Sequence, residues 1–317
     1  MGRKALAASS ERWSRLYHHA MRTWWTSTDW PERAAWLILS VLLIVGLLGG
    51  RWWPSRDAHG LAQHRSVWEL VSGGNADHTS PPDRLLAPLS RTTDGSFSLL
   101  GTDELGRSMG LRLATALSTS VVVAVAAALV AIVIGTLYGT AAALLGGRWD
   151  DALMRFAEVT AAVPNVVVII VLVSALQAYG PVVIFGAMGL LYWQQISRVV
   201  RARVLRLRNE QYVEASRSLG AGVIHRLRWH VLPGVAPTVL TYGALLLPRL
   251  IMLEGLLSFL GVSGHASAAH SFGRIIAGVT ATLSNLSLSW WPVLIACLCM
   301  ATLLLALNQV LDARAAR

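Results

Sequence analysis

The sequence predicts an all-α membrane protein with six transmembrane helices, and three observations carry that prediction. Of 317 residues, 54% are hydrophobic and only 14% are charged, against roughly 25% charged in soluble domains. The stretches 113–147, 159–197 and 275–311 contain no Asp, Glu, Lys or Arg, and about 20 apolar residues suffice to cross a hydrocarbon core of roughly 30 Å. The net charge is +10, but 26 of the 27 basic residues are arginines and many flank apolar stretches. That placement suits membrane orientation better than a nucleic-acid surface.

Residues 1–33 are expected as a cytoplasmic segment in which Trp13, Leu16 and Tyr17 lie along the inner surface among arginines. Residues 34–50, between Arg33 and Arg51, form the first span. The 33 residues ahead of it are too many for a signal-peptide n-region, and no A-x-A site follows. Residues 51–117, rich in Pro, Gly, Ser and Asp, form an outer loop too short and polar for much of a core. Short helices packed on the membrane are expected there.

Five further spans fill a core of residues 118–311. The second covers 118–146. The stretch 159–197 breaks at Gly180-Pro181, giving the third and fourth at 160–178 and 181–197. The fifth covers 236–260 and the sixth 290–311, leaving 312–317 as a cytoplasmic tail. With the N-terminus inside, segments 1–33, 147–158, 198–234 and 312–317 hold 18 Lys and Arg, against eight in 51–117 and 261–289. The bias puts both termini in the cytoplasm, and Trp52, Trp53, Trp290 and Trp291 then sit at the outer interface.

Cys297 and Cys299 lie inside the last apolar stretch as small apolar residues, with no disulfide or metal-site spacing. His265 and His270 sit in a Gly- and Ala-rich loop without ligand spacing, so solvated histidines are preferred to a metal site. No G-x-x-x-x-G-K-[ST] phosphate loop occurs. A catalytic ATPase is therefore not expected of this chain.

The cytoplasmic loop 198–234 carries the most information. Asn209 is placed to cap a helix with Tyr212, Val213 and Leu219 on one side, stopped by a left-handed Gly220. A second short helix carries Ile224, Leu227 and Val231 and ends before Pro233. Two short helices bent around a glycine between two spans suit docking to a cytosolic partner.

At these residues a family resemblance enters. Glu214-Ala215-Ser216, then Gly220, then His230-Val231-Leu232-Pro233 resembles the EAA loop of inner-membrane permeases of binding-protein-dependent ABC importers. The phrase YVEASRSLGAGVIHRLRWHVLP is similar to that of the oligopeptide/dipeptide permease C family. LGTDELGRS at 100–108, EGLLSFLGVS at 254–263 and HSFG at 270–273 also resemble segments of that family. The sequence departs from the pattern at Ser108, Ser216, His270 and Phe272, and in its short tail.

The resemblance implies a type I ABC importer permease fold and a transport subunit that binds no cofactor itself. It implies a homologous second permease, two ATPase subunits that bind ATP and Mg, an extracytoplasmic substrate-binding protein and membrane lipid as partners, with no nucleic acid. Glu214, Ala215, Ser216, Leu219, Gly220, Ala221, Leu232 and Pro233 are the implied ATPase-coupling residues. Gly220 supplies the sharp turn, and Glu214 anchors the loop through hydrogen bonds or an arginine.

Arg249 and Glu254 are the charges well inside a predicted span, and each must face protein, water or a partner. Five residues apart, they stand about 140° around an ideal helix, which disfavours a direct pair. Both are candidates for the translocation path, with a structural anchor as the plain alternative and Glu254 tilted towards it. Asp103, Glu104 and Arg107 are expected at the outer mouth, as loop-ordering ion pairs or as a contact for the binding protein.

The expected function is import of di- or oligopeptides across the bacterial inner membrane. Nickel, a metal chelate or another small peptide-like solute is the alternative. A non-transporting scaffold or sensor, or a membrane enzyme built on Arg249, Glu254 and histidines, explains the EAA phrase less well.

Overall fold

The computed structural model describes residues 34–42, 44, 52–56, 62–66, 83–93, 97–175, 181–262, 271–280 and 290–315. The expectations for Trp13, Leu16, Tyr17, His265 and His270, and for parts of the first span and both ends, lie outside these residues. Helix α1 covers 34–42 of the first expected span. In the expected outer loop, β1 (Trp52–Arg56) pairs antiparallel with β2 (Ala62–Ser66), and β3 (Ser90–Arg91) with β4 (Phe97–Ser98). Short strands thus stand where short helices were expected.

The long helices follow. They are α2 (Met109–Leu145), α3 (Gly147–Ala162), α4 (Asn165–Ala175) and α5 (Pro181–Leu207). Two short helices, α6 (Gln211–Ser218) and α7 (Val223–Arg226), lead through a π-helical turn at Leu227–Val231 into α8 (Leu232–Phe259). Helices α9 (Phe272–Thr280) and α10 (Trp290–Ala315) complete the described chain.

Met109–Leu145, Val223–Phe259 and Trp290–Ala313 are each long and apolar enough to cross a membrane, and α3 with α4 passes the same test as a pair bent by 79°. The bend lies at Val163-Pro164, between the two helices. A proline disfavours helical backbone in the residue before it, so helix cannot run through 160–178 as the sequence reading supposed. Helix α5 covers the expected fourth span but runs on to Leu207, ten residues into the expected cytoplasmic loop.

The bundle is held by close approach of α2 and α5. Ala124, Ala127, Ala128, Ala131, Gly135, Gly139 and Ala142 of α2 are all buried. A Cβ added at Gly135 would stand 2.7 Å from the Trp193 carbonyl oxygen, and one at Gly139 would collide with the Ser197 carbonyl. Small residues spaced by three or four let two helix backbones meet, which is how packing is won where lipid tails are as apolar as side chains. Exposed Val122, Leu129, Val133 and Leu137 occupy another face of α2, available to lipid or a neighbouring subunit.

Replacing Gly139 by Leu should lower the thermal unfolding temperature in detergent, with a destabilisation of about 1–3 kcal/mol or more. The same change at Ala141, which is exposed on the same helix, should leave unfolding by circular dichroism nearly unchanged.

Candidate functional site

The loop between α5 and α8 is built around one glycine. Helix α6 ends at Ser218 with Leu219 as its C-cap, and Gly220 follows with φ of 84°. Gly220 N–H donates to the Arg217 carbonyl at 3.0 Å and Ala221 N–H to the Ser216 carbonyl at 3.1 Å. This paired pattern is the Schellman stop, whose left-handed residue is favourable only for glycine or asparagine. An added Cβ at Gly220 meets nothing within 4 Å, so the demand for glycine comes from backbone conformation and not from crowding.

The turn presents apolar side chains to solvent. Leu219 is 88% exposed and Ile224 80% exposed, with Tyr212, Val223 and Trp229 also open. Val213 faces inward as the one buried residue of α6. His230 stacks edge-on against Tyr212 with ring centroids 6.1 Å apart, and against His225 at 6.3 Å, holding the two short helices against each other. Ser216 is half-buried, and Glu214, Ala215 and Leu232 are exposed.

Three sequence expectations change here. The cap of α6 is Glu210 rather than Asn209, and no side chain caps the helix. The Glu214 carboxylate is exposed and forms no hydrogen bond or ion pair among the described residues, although an anchoring role was expected within the loop. Helix does not end before Pro233. Instead Leu232 N–H bonds to the Leu227 carbonyl across the π-helical turn, and Pro233, which has no N–H to satisfy, falls in the first turn of α8. The second short helix is thereby continuous with a membrane-length span.

Arg249 and Glu254 lie on α8 in different surroundings. Glu254 is 5% exposed. It accepts from Ser120 of α2 at 2.6 Å and from Ser258 at 2.8 Å, and Ser271 at the head of α9 adds a third side-chain bond. Three hydroxyls from three segments thus satisfy a buried carboxyl group, a requirement for any such group away from water. Glu254 is not among the residues that surround Arg249. Arg249 is exposed, donates to Gln195 Oε1 at 3.2 Å and borders a cavity between α5, α8 and α10.

At the opposite end of α2, Asp103 is 3% exposed. It receives backbone N–H from Leu105 at 2.9 Å and Arg107 at 2.8 Å, the Arg107 side chain at 2.8 Å, and Arg112 Nη1 at 2.5 Å. Asp83 ties the loop further, accepting Thr93 N–H at 2.8 Å and its hydroxyl at 2.9 Å. Burial, then the neighbouring Asp103 charge, push the Glu104 carboxyl above its ordinary value, with Arg107 opposing. Asp103 and Arg107 therefore order their own loop, with Arg112 as the partner that sequence reasoning missed. Its position one residue before the uncharged stretch from 113 was the available signal.

A second missed pair joins α3 to α5. Arg201 of α5 makes a bidentate contact with Asp150 of α3 at 2.5 and 2.6 Å. Nothing in the spacing of residues 150 and 201 announces it, because only the fold brings those helices together.

The profile of the family described as "Binding-protein-dependent transport system inner membrane component" matches residues 131–317, more than half of the chain. The chain belongs to that family. This inner-membrane component is 36% identical over 169 residues to the oligopeptide transport system permease protein OppC of Bacillus subtilis (strain 168), covering 53% of this chain and 55% of the relative. It is 34% identical over 191 residues to the dipeptide permease DppC of the same strain, covering 60% of this chain and 58% of the relative. The nickel transport permease NikC of Escherichia coli (strain K12) is 28% identical over 243 residues, 77% of this chain and 78% of that one.

The inner-membrane component spans little more than half the length of the OppC and DppC relatives it matches. Among solved structures, a chain of the MetNI methionine ABC transporter in inward-facing conformations superposes with a TM-score of 0.50 at 14% identity, covering 64% of this chain and 95% of that one. That similarity shows the fold, a type I ABC importer permease.

Two measurements test the outer loop. Asp103→Ala should cost about 3–5 kcal/mol, because it leaves Arg112 buried without its carboxylate, and adding Arg112→Met should recover a large part in denaturant unfolding. A carboxyl raised on folding holds its proton more tightly in the folded loop. Its contribution is full below the ordinary value and is lost as pH climbs through the raised one. Protease protection of residues 83–108 should therefore decline over that window, and Glu104→Gln should remove that part of the decline.

Proposed function

We propose that the chain is the transmembrane permease subunit of a binding-protein-dependent ABC importer for di- or oligopeptides, coupling ATP hydrolysis in partner subunits to alternating access. The observation that carries the reading is the exposed glycine-turned loop joined without a break to the helix Val223–Phe259. The OppC and DppC relatives support a peptide cargo.

In this reading two ATPase subunits bind ATP and Mg and dock on the loop through Leu219, Val223 and Ile224. The residues Glu214, Ala215, Ser216, Gly220, Ala221, Leu232 and Pro233 shape that surface and connect it to α8. The exposed Glu214 carboxylate is available to a subunit outside this chain. A homologous second permease completes the path, and an extracytoplasmic binding protein delivers cargo to the mouth held by Asp103, Glu104 and Arg107. Both termini are cytoplasmic, as the arginine bias supports. Arg249 faces the translocation path, while Glu254 locks α2, α8 and α9 together.

The similarity to NikC favours a second reading, in which the cargo is nickel or a metal chelate. Both readings share the coupling loop and part only in what crosses.

The test is uptake of labelled peptide and of labelled nickel into proteoliposomes holding the co-purified complex and its binding protein. Uptake that needs ATP and the binding protein is expected for peptide. A bulky Gly220→Val, strained by about 1–2 kcal/mol in the left-handed region, should abolish uptake while the ATPase subunits still hydrolyse ATP. Uptake indifferent to ATP and to residue 220 would sink the importer, and partner binding without any flux would leave a scaffold.

A further inference from the structure

Where α5, α8 and α10 meet, a cavity of about 390 Å³ opens within the bundle. Its volume lies inside the range of roughly 300–1,000 Å³ usual for small-molecule sites. Its walls are apolar at Ile196 and Leu246, and its polar groups come from three helices: Gln195, Arg249, Asn308 and Asp312. Arg249 lies about 15 Å along α8 from the Phe259 end, at 1.5 Å per residue, so the cation belongs to the interior of a spanning helix and not to its frayed terminus.

Two features distinguish this cavity from an ordinary gap between helices. First, it holds one fixed cation and one fixed anion that do not neutralise each other. Arg249 bonds to the neutral Gln195 oxygen at 3.2 Å, and neither Arg249 nor Asp312 forms an ion pair among the described residues. Second, a guanidinium has five N–H donors in a planar fork. The one side-chain bond to Gln195 leaves capacity for a carboxylate, which this fork binds in two parallel bonds. An ionisable side chain inside a spanning helix, as Arg249 is, marks a functional site by its placement.

We propose that this cavity is a zwitterion subsite, in which Arg249 and Gln195 take the carboxylate of an unblocked peptide and Asp312 and Asn308 take its terminal ammonium group. The proposal rests on the peptide-import reading above and deepens it. Selection for free peptide ends then resides partly in the permease and not wholly in the binding protein. A peptide near neutral pH carries an ionised carboxylate and, with an α-amino pKa of about 7.7–8.0, a largely protonated amine. Its two charges answer the two unpaired charges of the cavity. A blocked end removes one of them and leaves Arg249 or Asp312 without its counterpart.

The experiment uses the whole complex in proteoliposomes with saturating binding protein and three probes: trialanine, its C-amidated form and its N-acetylated form. Since the binding protein is common to every arm, a change in preference caused by a permease substitution belongs to the permease. Arg249→Gln should reduce the preference for free over C-amidated peptide about tenfold while sparing the preference against N-acetylation. Asp312→Asn should do the reverse. Co-purification of each variant with its partner subunits in the wild-type ratio reads folding and assembly separately.

Parallel loss of all three substrates, or unchanged preferences, would overturn the subsite while leaving the importer standing. A wild-type complex that imports none of the three peptides would overturn the peptide reading itself, and the subsite with it.

Discussion

The contact on which the molecule depends is the meeting of α2 and α5 at backbone distance. In water, burial of large apolar side chains drives helices together. In a bilayer that gain is absent, and association relies on packing density and on polar groups that lipid cannot satisfy. Gly135 and Gly139 bring α2 against the Trp193 and Ser197 carbonyls, and the long overlap of the two helices sets where every other helix sits. The consequence is a bundle in which substitutions by larger residues act on the whole, since a shift of one backbone moves all that is registered against it.

Polar groups then fasten the bundle at three levels. Asp103 with Arg112 closes the end at the start of α2, the Glu254 carboxyl with Ser120 and Ser258 fastens the interior, and Asp150 with Arg201 closes the opposite end. Glu254 with Ser120 and Asp150 with Arg201 join segments 134 and 51 residues apart, while Asp103 and Arg112 are nine residues apart and tie the loop to the start of α2. Attraction between charges grows as the dielectric falls, but so does the cost of removing them from water. These pairs are therefore better understood as fixing register between helices than as large net sources of stability. The arrangement also explains why charged residues are tolerated so close to apolar stretches.

The same pairs mark the limit of what the sequence revealed. The uncharged stretches from 113 and from 275 overlap the long apolar helices Met109–Leu145 and Trp290–Ala313, because hydropathy is a property of contiguous residues. The glycine stop at residue 220 was legible for a similar reason, since a Schellman turn is decided within six residues. The start of α2 at Met109 was not legible: Arg112 looked like a boundary, and only its contact with Asp103 lets helix include it. The break at Pro164 was written in the sequence but was overridden by counting apolar residues. The environment of Glu254 depended on Ser120, 134 residues away, and could be had only from the fold. Local rules thus recovered elements and turns, while the surroundings of the candidate site came from tertiary contacts.

The connection between the Gly220 loop and the interior is a mechanical one. Helix continues from Val223 to Phe259, so the proposed docking surface at Ile224, the Arg249 cavity and the Glu254 anchor lie along one element. A straight, fully bonded helix would carry any displacement of the loop rigidly to its far end. This one is interrupted by a π-helical turn at Leu227–Val231 and by Pro237 and Pro248 within α8, each of which removes or re-routes backbone hydrogen bonds and lowers the cost of bending. Glu254 lies beyond these points and is held by α2 and α9. On the proposed coupling, movement imposed at the loop is absorbed between the loop and Glu254, and the segment that must yield contains Pro248 and Arg249. On that coupling, the cavity sits where the end held by Glu254 meets the end driven by the loop, which is where a change in access to bound cargo costs least.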